Sequence, residues 1–242
     1  MEDPYPARKF IEGTCLLVDK PKSWTSFDVV NKIRSALKYN LEIKKIKVGH
    51  SGTLDPMATG LLVVCTGRHT KKLTNYQGLT KEYSGTITLG ATTPSYDAET
   101  APDATFPYAH ISKEDIENAR RKFLGDMEQL PPMYSAIKVD GQPLYKKARK
   151  GIMVEVKPRP VTIFEFEITK IELPDIEFKI KCSKGTYIRS IAHDLGKALN
   201  NGAHLTALRR SKIGDFKIED AWDLEKLVGH IESLKPVGLN GL

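Results

Sequence analysis

The chain has 242 residues, 40% of them hydrophobic, which is enough for a sizeable core and excludes a disordered or low-complexity protein. No apolar run approaches the ~20 residues that cross a bilayer, and Met1–Phe10, with two prolines and four charged residues, does not read as a signal peptide, so a cytoplasmic protein is expected. Lys and Arg total 37 against 30 Asp and Glu, and this net charge of +7 favours a polyanionic partner; Cys15, Cys65 and Cys182 lie far apart with no C-x-x-C pair and read as reduced packing residues rather than metal ligands.

Residues 14–18 predict a short apolar strand that runs into an Asp19-Lys20-Pro21 turn. A helix follows, with Thr25 or Ser26 placed to cap it and Phe27, Val30, Ile33, Ala36 and Leu37 recurring at three and four positions as one buried stripe. The stretch Gly49-His50-Ser51-Gly52-Thr53-Leu54-Asp55-Pro56-Met57-Ala58-Thr59-Gly60 then sets one carboxylate, Asp55, in a loop built for close approach. Its three glycines supply backbone freedom, and Pro56 fixes the turn after the aspartate. Leu61, Leu62, Val63 and Val64 make an apolar run that anchors this loop on a buried element.

Residues 83–90 alternate, with Tyr83, Gly85, Ile87 and Leu89 on one side, the pattern of a half-buried strand. Periodicity is lost over 92–110, which reads as a surface loop or insertion. Ser112 with Asp115 opens a second helix carrying Ile116, Ala119, Phe123 and Leu124, ending at Gly125. Val161-Ile163, Phe164-Phe166-Ile168 and Ile176-Phe178-Ile180-Cys182 alternate as strands, and a turn at Pro174-Asp175 joins the last pair in an antiparallel hairpin. A helix with Ile188, Ile191, Ala192, Leu195, Ala198 and Leu199 starts directly after Gly185-Thr186-Tyr187, so Tyr187 and Arg189 fall at a strand-to-helix junction. The last expected element is a helix from Trp222 to Val228 with Leu224 and Leu227 inward. Antiparallel hairpins mixed with flanking helices indicate an α+β fold, with a domain over 1–220 and a short helical tail over 221–242.

Positive charge is grouped at Lys44-Lys45-Lys47, Arg68-Lys71-Lys72, Lys146-Lys147-Arg149-Lys150 and Arg209-Arg210-Lys212. Several groups lie beside the loops above, which suggests a track for phosphates.

The 49–60 stretch resembles the catalytic motif of the TruB family of pseudouridine synthases, G-H-x-G-T-L-D-P-x-A-T/S-G. Asp19-Lys20-Pro21 with Thr25-Ser26, Lys81-Glu82-Tyr83, Pro131 to Lys138, Cys182 to Arg189, Gly202-Ala203-His204 and Leu208-Arg209-Arg210 are similar to that family's other blocks in the same order, so the resemblance spans roughly residues 13–212. It implies a mixed, largely antiparallel central sheet with a catalytic cleft, and isomerisation of the tRNA T-loop uridine conventionally numbered 55 by a monomer that needs no cofactor and no metal. In that reading Asp55 is the nucleophile, and Arg189 supplies the charge that keeps it ionised against burial. Tyr83, which alternation alone would make an ordinary core tyrosine, stacks on the target base and serves in removing the proton from base carbon 5. Tyr187 packs near the ion pair and Leu208 closes the apolar side, although either position also suits plain core. His50 is the candidate wedge that fills the space left by a flipped base. Lys20 is a basic residue near the cleft, for which phosphate contact and loop anchoring are both open.

Two departures accompany the resemblance. Ser23 stands where the family usually has glycine, so a turn needing positive φ there would be strained. Only about 30 residues follow Arg210, too few for an independent core, so no PUA-type RNA-binding domain is expected. The competing readings are a non-catalytic RNA-binding or tRNA-folding protein and a guide-RNA-directed relative acting on ribosomal RNA; an intact Asp55, Tyr83 and Arg189 set favours catalysis over the first, and the lack of PUA sequence and of lysine-rich tails argues against the second.

Overall fold

The computed structural model describes residues 5–43, 45–139, 141–152 and 154–235; Lys44 of the first basic cluster, residues 1–4 of the N-terminal stretch and residues 236–242 of the expected tail lie outside the described residues. The chain forms two compact units, one of Met1–Leu79 with Arg209–Leu242 and one of Thr80–Leu208.

In the first unit the expected strand at 14–18 is Cys15–Lys20. It pairs antiparallel with Thr59–Thr66, Val18 opposite Leu62 and Lys20 opposite Gly60, and in parallel with Trp222–Asp223. Along its other edge Thr59–Thr66 pairs antiparallel with Val48–His50 near its end and in parallel with Arg209 and Arg210 near its start. A strand covered on both faces has to be apolar at nearly every position, and this is the run read from the sequence. Leu62 and Val64 enter a core shared with the helices Ser26–Asn40 and Leu224–Ser233, while Leu61, Val63 and Cys65 enter a smaller cluster with Leu73, Tyr76 and Phe216.

Thr25 caps the helix Ser26–Asn40 through a reciprocal box: Asp28 N–H donates to Thr25 Oγ1 at 3.0 Å and Thr25 N–H to Asp28 Oδ2 at 2.9 Å. Such a cap contributes about 1 kcal/mol. The buried stripe is Ser26, Val29, Val30, Ile33, Ala36 and Leu37. Phe27, expected in it, is 61% exposed, because at 3.6 residues per turn it stands about 120° around the helix from Ile33. The helix expected near 222–228 is Leu224–Ser233, capped by Asp223; Leu224, Leu227, Val228 and Ile231 are all buried, so the residues after 220 share the first unit's core.

In the second unit, residues 203–208 of the strand Ala203–Ile213 neighbour Lys81–Leu89, followed in order by Asp175–Cys182, Arg159–Glu172 and Gly125–Gln129; the last three pairings are antiparallel. The hairpin predicted around Pro174-Asp175 is the Arg159–Glu172 and Asp175–Cys182 pair. A register shift between Ile163 and Glu165 explains the two phases of alternation around Phe164: Ile163 and Phe166 are both buried, and Phe164 is turned outward. The second capping box is present, Ser112 with Asp115, on the helix Lys113–Arg121. Leu124 is exposed rather than on its buried face, because the helix ends before it and the chain turns into Gly125–Gln129. Both units join helices to a mixed or antiparallel sheet, in line with the α+β reading.

One expectation holds only in part: residues 98–110 are largely exposed, but those before them are not. The stretch 92–110 is not simply a surface loop: Ala91–Thr92 pairs with Ala104–Thr105, and Thr93, Ser95 and Asp97 between them are buried. Polar side chains can be buried there because they bond to one another and to backbone. Thr93 Oγ1 donates to Asp97 O at 2.7 Å, Ser95 Oγ to Asp97 Oδ1 at 2.5 Å, and Glu99 N–H to the same carboxylate oxygen at 3.0 Å.

Candidate active site

The loop bearing Asp55 leaves the sheet after His50, whose strand lies opposite Val64, and returns at Thr59. Its main chain is fixed on both sides of the aspartate. Leu54 N–H donates to Ser26 Oγ at 2.8 Å, so Ser26 serves this loop while Thr25 caps the helix. Ser23 N–H donates to Pro56 O at 2.8 Å, and Ala58 N–H closes a turn onto Asp55 O at 3.1 Å. Ser23 holds its bond with φ at +69°, so the left-handed turn survives without the family's glycine. Asp55 itself is half-buried.

Lys20 is 0% exposed, and its ammonium donates to Trp24 O at 2.6 Å, to Pro21 O at 2.9 Å and to Pro56 O at 3.5 Å. A buried ammonium requires such acceptors. Of the two roles open for Lys20, the geometry favours anchoring the turn and the Asp55 loop. His50 is half-buried and its Nδ1 accepts from Gly52 N–H at 3.3 Å, leaving the ring proton on Nε2. Burial, with a further contribution from the charge of Arg210, pushes its proton affinity below the usual histidine range, so the ring is neutral at physiological pH.

Within the basic cluster Arg209-Arg210-Lys212, Arg209 and Arg210 have partners inside the first unit, and Arg210 has almost no exposed surface to offer the phosphate track read from the sequence. Arg209 forms a two-pronged ion pair with Asp19, Nη2 to Oδ2 at 2.6 Å and Nη1 to Oδ1 at 3.1 Å, and Arg210 is buried. Arg68, Lys71 and Lys72, and Lys146, Arg149 and Lys150, are exposed.

The second unit holds the other candidates. Tyr83 is half-buried on Lys81–Leu89, in register with Ile180. Tyr187 stands at the head of the helix Ile188–Ala198, its N–H donating to Gln129 Oε1 at 2.8 Å and its carbonyl accepting from Gln129 Nε2 at 3.1 Å. This clamp fixes the junction predicted between strand and helix. Arg189, the second residue of that helix, is buried; Nη1 donates to Ser95 O at 3.1 Å, Nη2 donates to Tyr134 O at 2.9 Å, and Asp97 Oδ2 lies 3.5 Å from Nη1. Leu208 is buried on its strand.

Asp97, which faces Arg189, is the buried carboxylate that sequence reading missed. Its signal was faint: a Ser-x-Asp-x-Glu spacing suited to an Asx-type turn, inside a stretch with no period. Beside it, Tyr96 has φ +63° and stacks on His193, ring centroids 3.8 Å apart and 9° from parallel. Burial pushes His193 down to about 4.

Among the described residues no helix is long and apolar enough to cross a membrane. The family model for the N-terminal domain of TruB family pseudouridylate synthases matches residues 38–188, and that for the C-terminal domain of tRNA pseudouridylate synthase B matches residues 189–235. The chain is 54% identical over 217 residues to tRNA pseudouridine synthase B of Flavobacterium johnsoniae, covering 89% of this chain and 95% of that one. It is 50% identical over 223 residues to the protein of the same name from Bacteroides fragilis, covering 92% and 96%. Among solved structures, a crystal structure of a Cbf5–Nop10–Gar1 complex matches with a TM-score of 0.70 at 29% identity; the match covers 93% of this chain and 56% of that chain. The chain belongs to the TruB family of pseudouridylate synthases.

Proposed function

We propose that this protein converts the T-loop uridine of tRNA conventionally numbered 55 to pseudouridine, with Asp55 as the nucleophile. The observation that carries the reading is the loop at 51–58, where a single carboxylate sits between main-chain anchors at Leu54, Pro56 and Ala58, in a chain about half identical to two tRNA pseudouridine synthases B. The isomerisation breaks the bond from ribose C1′ to base N1 and forms one from C1′ to C5; C5 loses a proton and N1 gains one. No electrons are exchanged, so a carboxylate nucleophile and a proton acceptor suffice. Arg189 is the cation that keeps the nucleophile ionised. Tyr83 stacks on the base, and its hydroxyl takes the C5 proton directly or through a water. Tyr187 and Leu208 line the pocket, and Lys20 acts by holding the loop.

A uridine stacked in a folded loop has to be flipped out before Asp55 reaches it, at a cost of a few kcal/mol. His50 offsets part of this by occupying the vacated space, where aromatic stacking recovers about 1–3 kcal/mol. A neutral ring suits that role. The exposed Arg68, Lys71, Lys72, Lys146, Arg149 and Lys150 meet phosphates of the T-stem, so affinity falls with salt at a log–log slope of about −0.7 to −0.9 per phosphate neutralised. The enzyme acts as a cytoplasmic monomer.

The test is incubation with an unmodified tRNA transcript followed by carbodiimide mapping of pseudouridine. Conversion of the T-loop uridine is expected. Tight tRNA binding with no pseudouridine at any position would replace this reading with that of a non-catalytic RNA-binding protein.

A further inference from the structure

Arg210 is 1% exposed although it sits in a basic cluster. A guanidinium presents its donors in a rigid fork and does not lose its proton, so burying one requires acceptors placed to match. Here the acceptors lie at the two ends of the Asp55 loop: Nε donates to Leu61 O at 2.7 Å and Nη2 to Gly52 O at 3.1 Å. The main chain of the same residue closes on the loop's return. Arg210 is the register partner of Gly60 in the parallel pairing, and a Cβ built on Gly60 would stand 2.3 Å from Arg210 O and 2.7 Å from Arg210 N. Gly60 also has φ +106°, so glycine is required there on both counts. Lys20, Ser23 and Ser26 hold the middle of the loop at 54–56, whereas Arg210 touches the chain at 52, 60 and 61.

We infer that Arg210 is a positioning residue for the nucleophile, tying together the departure and the return of the loop that carries Asp55, and that it does not contact RNA. The inference rests on the reading of Asp55 as nucleophile. Without the fork, residues 52–58 keep their central anchors but lose the common reference for their ends, and a displacement of about 1 Å at a reacting atom costs on the order of 100-fold in rate. Lysine cannot substitute, since a single ammonium on a flexible stem does not reproduce the geometry of the fork.

The experiment compares Arg210→Lys and Arg210→Met with Arg120→Met, which removes an arginine-to-carbonyl bond, Arg120 Nη1 to Phe166 O, elsewhere in the protein. Three quantities are read: the single-turnover rate on tRNA, tRNA affinity, and the titration of the His50 ring by NMR. Both Arg210 variants are expected to lose about 100-fold in the single-turnover rate with unchanged affinity, while Arg120→Met keeps its rate. The His50 titration should move up in Arg210→Met, where a neighbouring positive charge is gone, and stay low in Arg210→Lys. A wild-type rate in either Arg210 variant would overturn the inference, as would an affinity loss as large as the rate loss, which would make Arg210 an RNA contact. If Arg210→Met does not fold, Arg210→Lys decides by the same readings. Failure of the underlying reading looks different: the wild-type protein itself then makes no pseudouridine, and the positioning role falls with it.

Discussion

The loop at 51–58 and the segment at 93–97 each hold an aspartate, and they bury it to different degrees. Around Asp55 the fixed groups are main-chain atoms of the neighbours, Leu54, Pro56 and Ala58, and the aspartate is half-buried. Asp97 is 0% exposed, and its carboxylate accepts from Ser95 Oγ and Glu99 N–H and faces Arg189. A carboxylate that has to react needs a rigid backbone and a side chain that substrate can reach; one that organises a fold is better buried and bonded. The two segments therefore predict two different failures when the acid is replaced by its amide.

The largest expected effect is on chemistry. Asp55→Asn should lower pseudouridine formation on the order of 10⁴-fold or more, because an amide cannot act as the nucleophile, with melting temperature and tRNA affinity close to wild type. Pseudouridine formation at a tenth of the wild-type rate would break the comparison at its first arm. Asp97→Asn should act on the fold instead: removing the charge of a carboxylate buried against Arg189 costs about 3–5 kcal/mol, read by urea denaturation. A stability within experimental error of wild type would show that the 3.5 Å pair is not organising the second unit.

Acid sharpens the contrast further. His193, stacked under Tyr96 beside Asp97, titrates at about 4 in the fold against about 6.5 in an unfolded chain. Because its folded value is the lower one, the unfolded state takes up the proton first, and the stability from this group is complete above about pH 6.5 and is lost progressively down to about pH 4. The charge of Lys197 adds to the burial and that of Asp103 opposes it, while burial pushes neighbouring Asp194 up, a contribution of opposite sign that favours the fold in acid. His193→Phe keeps a ring against Tyr96 and removes the titration, so its urea stability should fall less than wild type between pH 7 and pH 5. Parallel profiles would assign the acid sensitivity to another group.

The smallest effect concerns an anchor of the first region. Ser23 holds Pro56 from a left-handed conformation that costs a non-glycine residue about 1–2 kcal/mol, whereas glycine adds about 0.5–1 kcal/mol of unfolded-state entropy. Ser23→Gly should thus stabilise by no more than about 1.5 kcal/mol and leave the rate unchanged. Destabilisation, measured by denaturant midpoint at constant slope, would mean that the turn is not strained.

What the sequence determined by itself is what local energetics encode. Both capping boxes, at Thr25 with Asp28 and at Ser112 with Asp115, depend on residues three apart, and the hairpin around Pro174 depends on alternation with period two. The Asp55 loop was legible because its glycines, proline and following apolar run are contiguous, and the family's blocks recur around it. Tertiary structure alone decided which polar groups go inside. Arg210 reads as one more surface cation until it meets Leu61 and Gly52, which are 149 and 158 positions away; Asp97 reads as loop until Arg189 reaches that segment from 94 positions on. Phe27 and Leu124 read as core until the phase and the length of their helices turn them outward. The physical reason is that an apolar side chain can be buried against almost any other, so its fate follows local periodicity, whereas a buried donor or charge is stable only beside a specific acceptor that the chain brings from elsewhere.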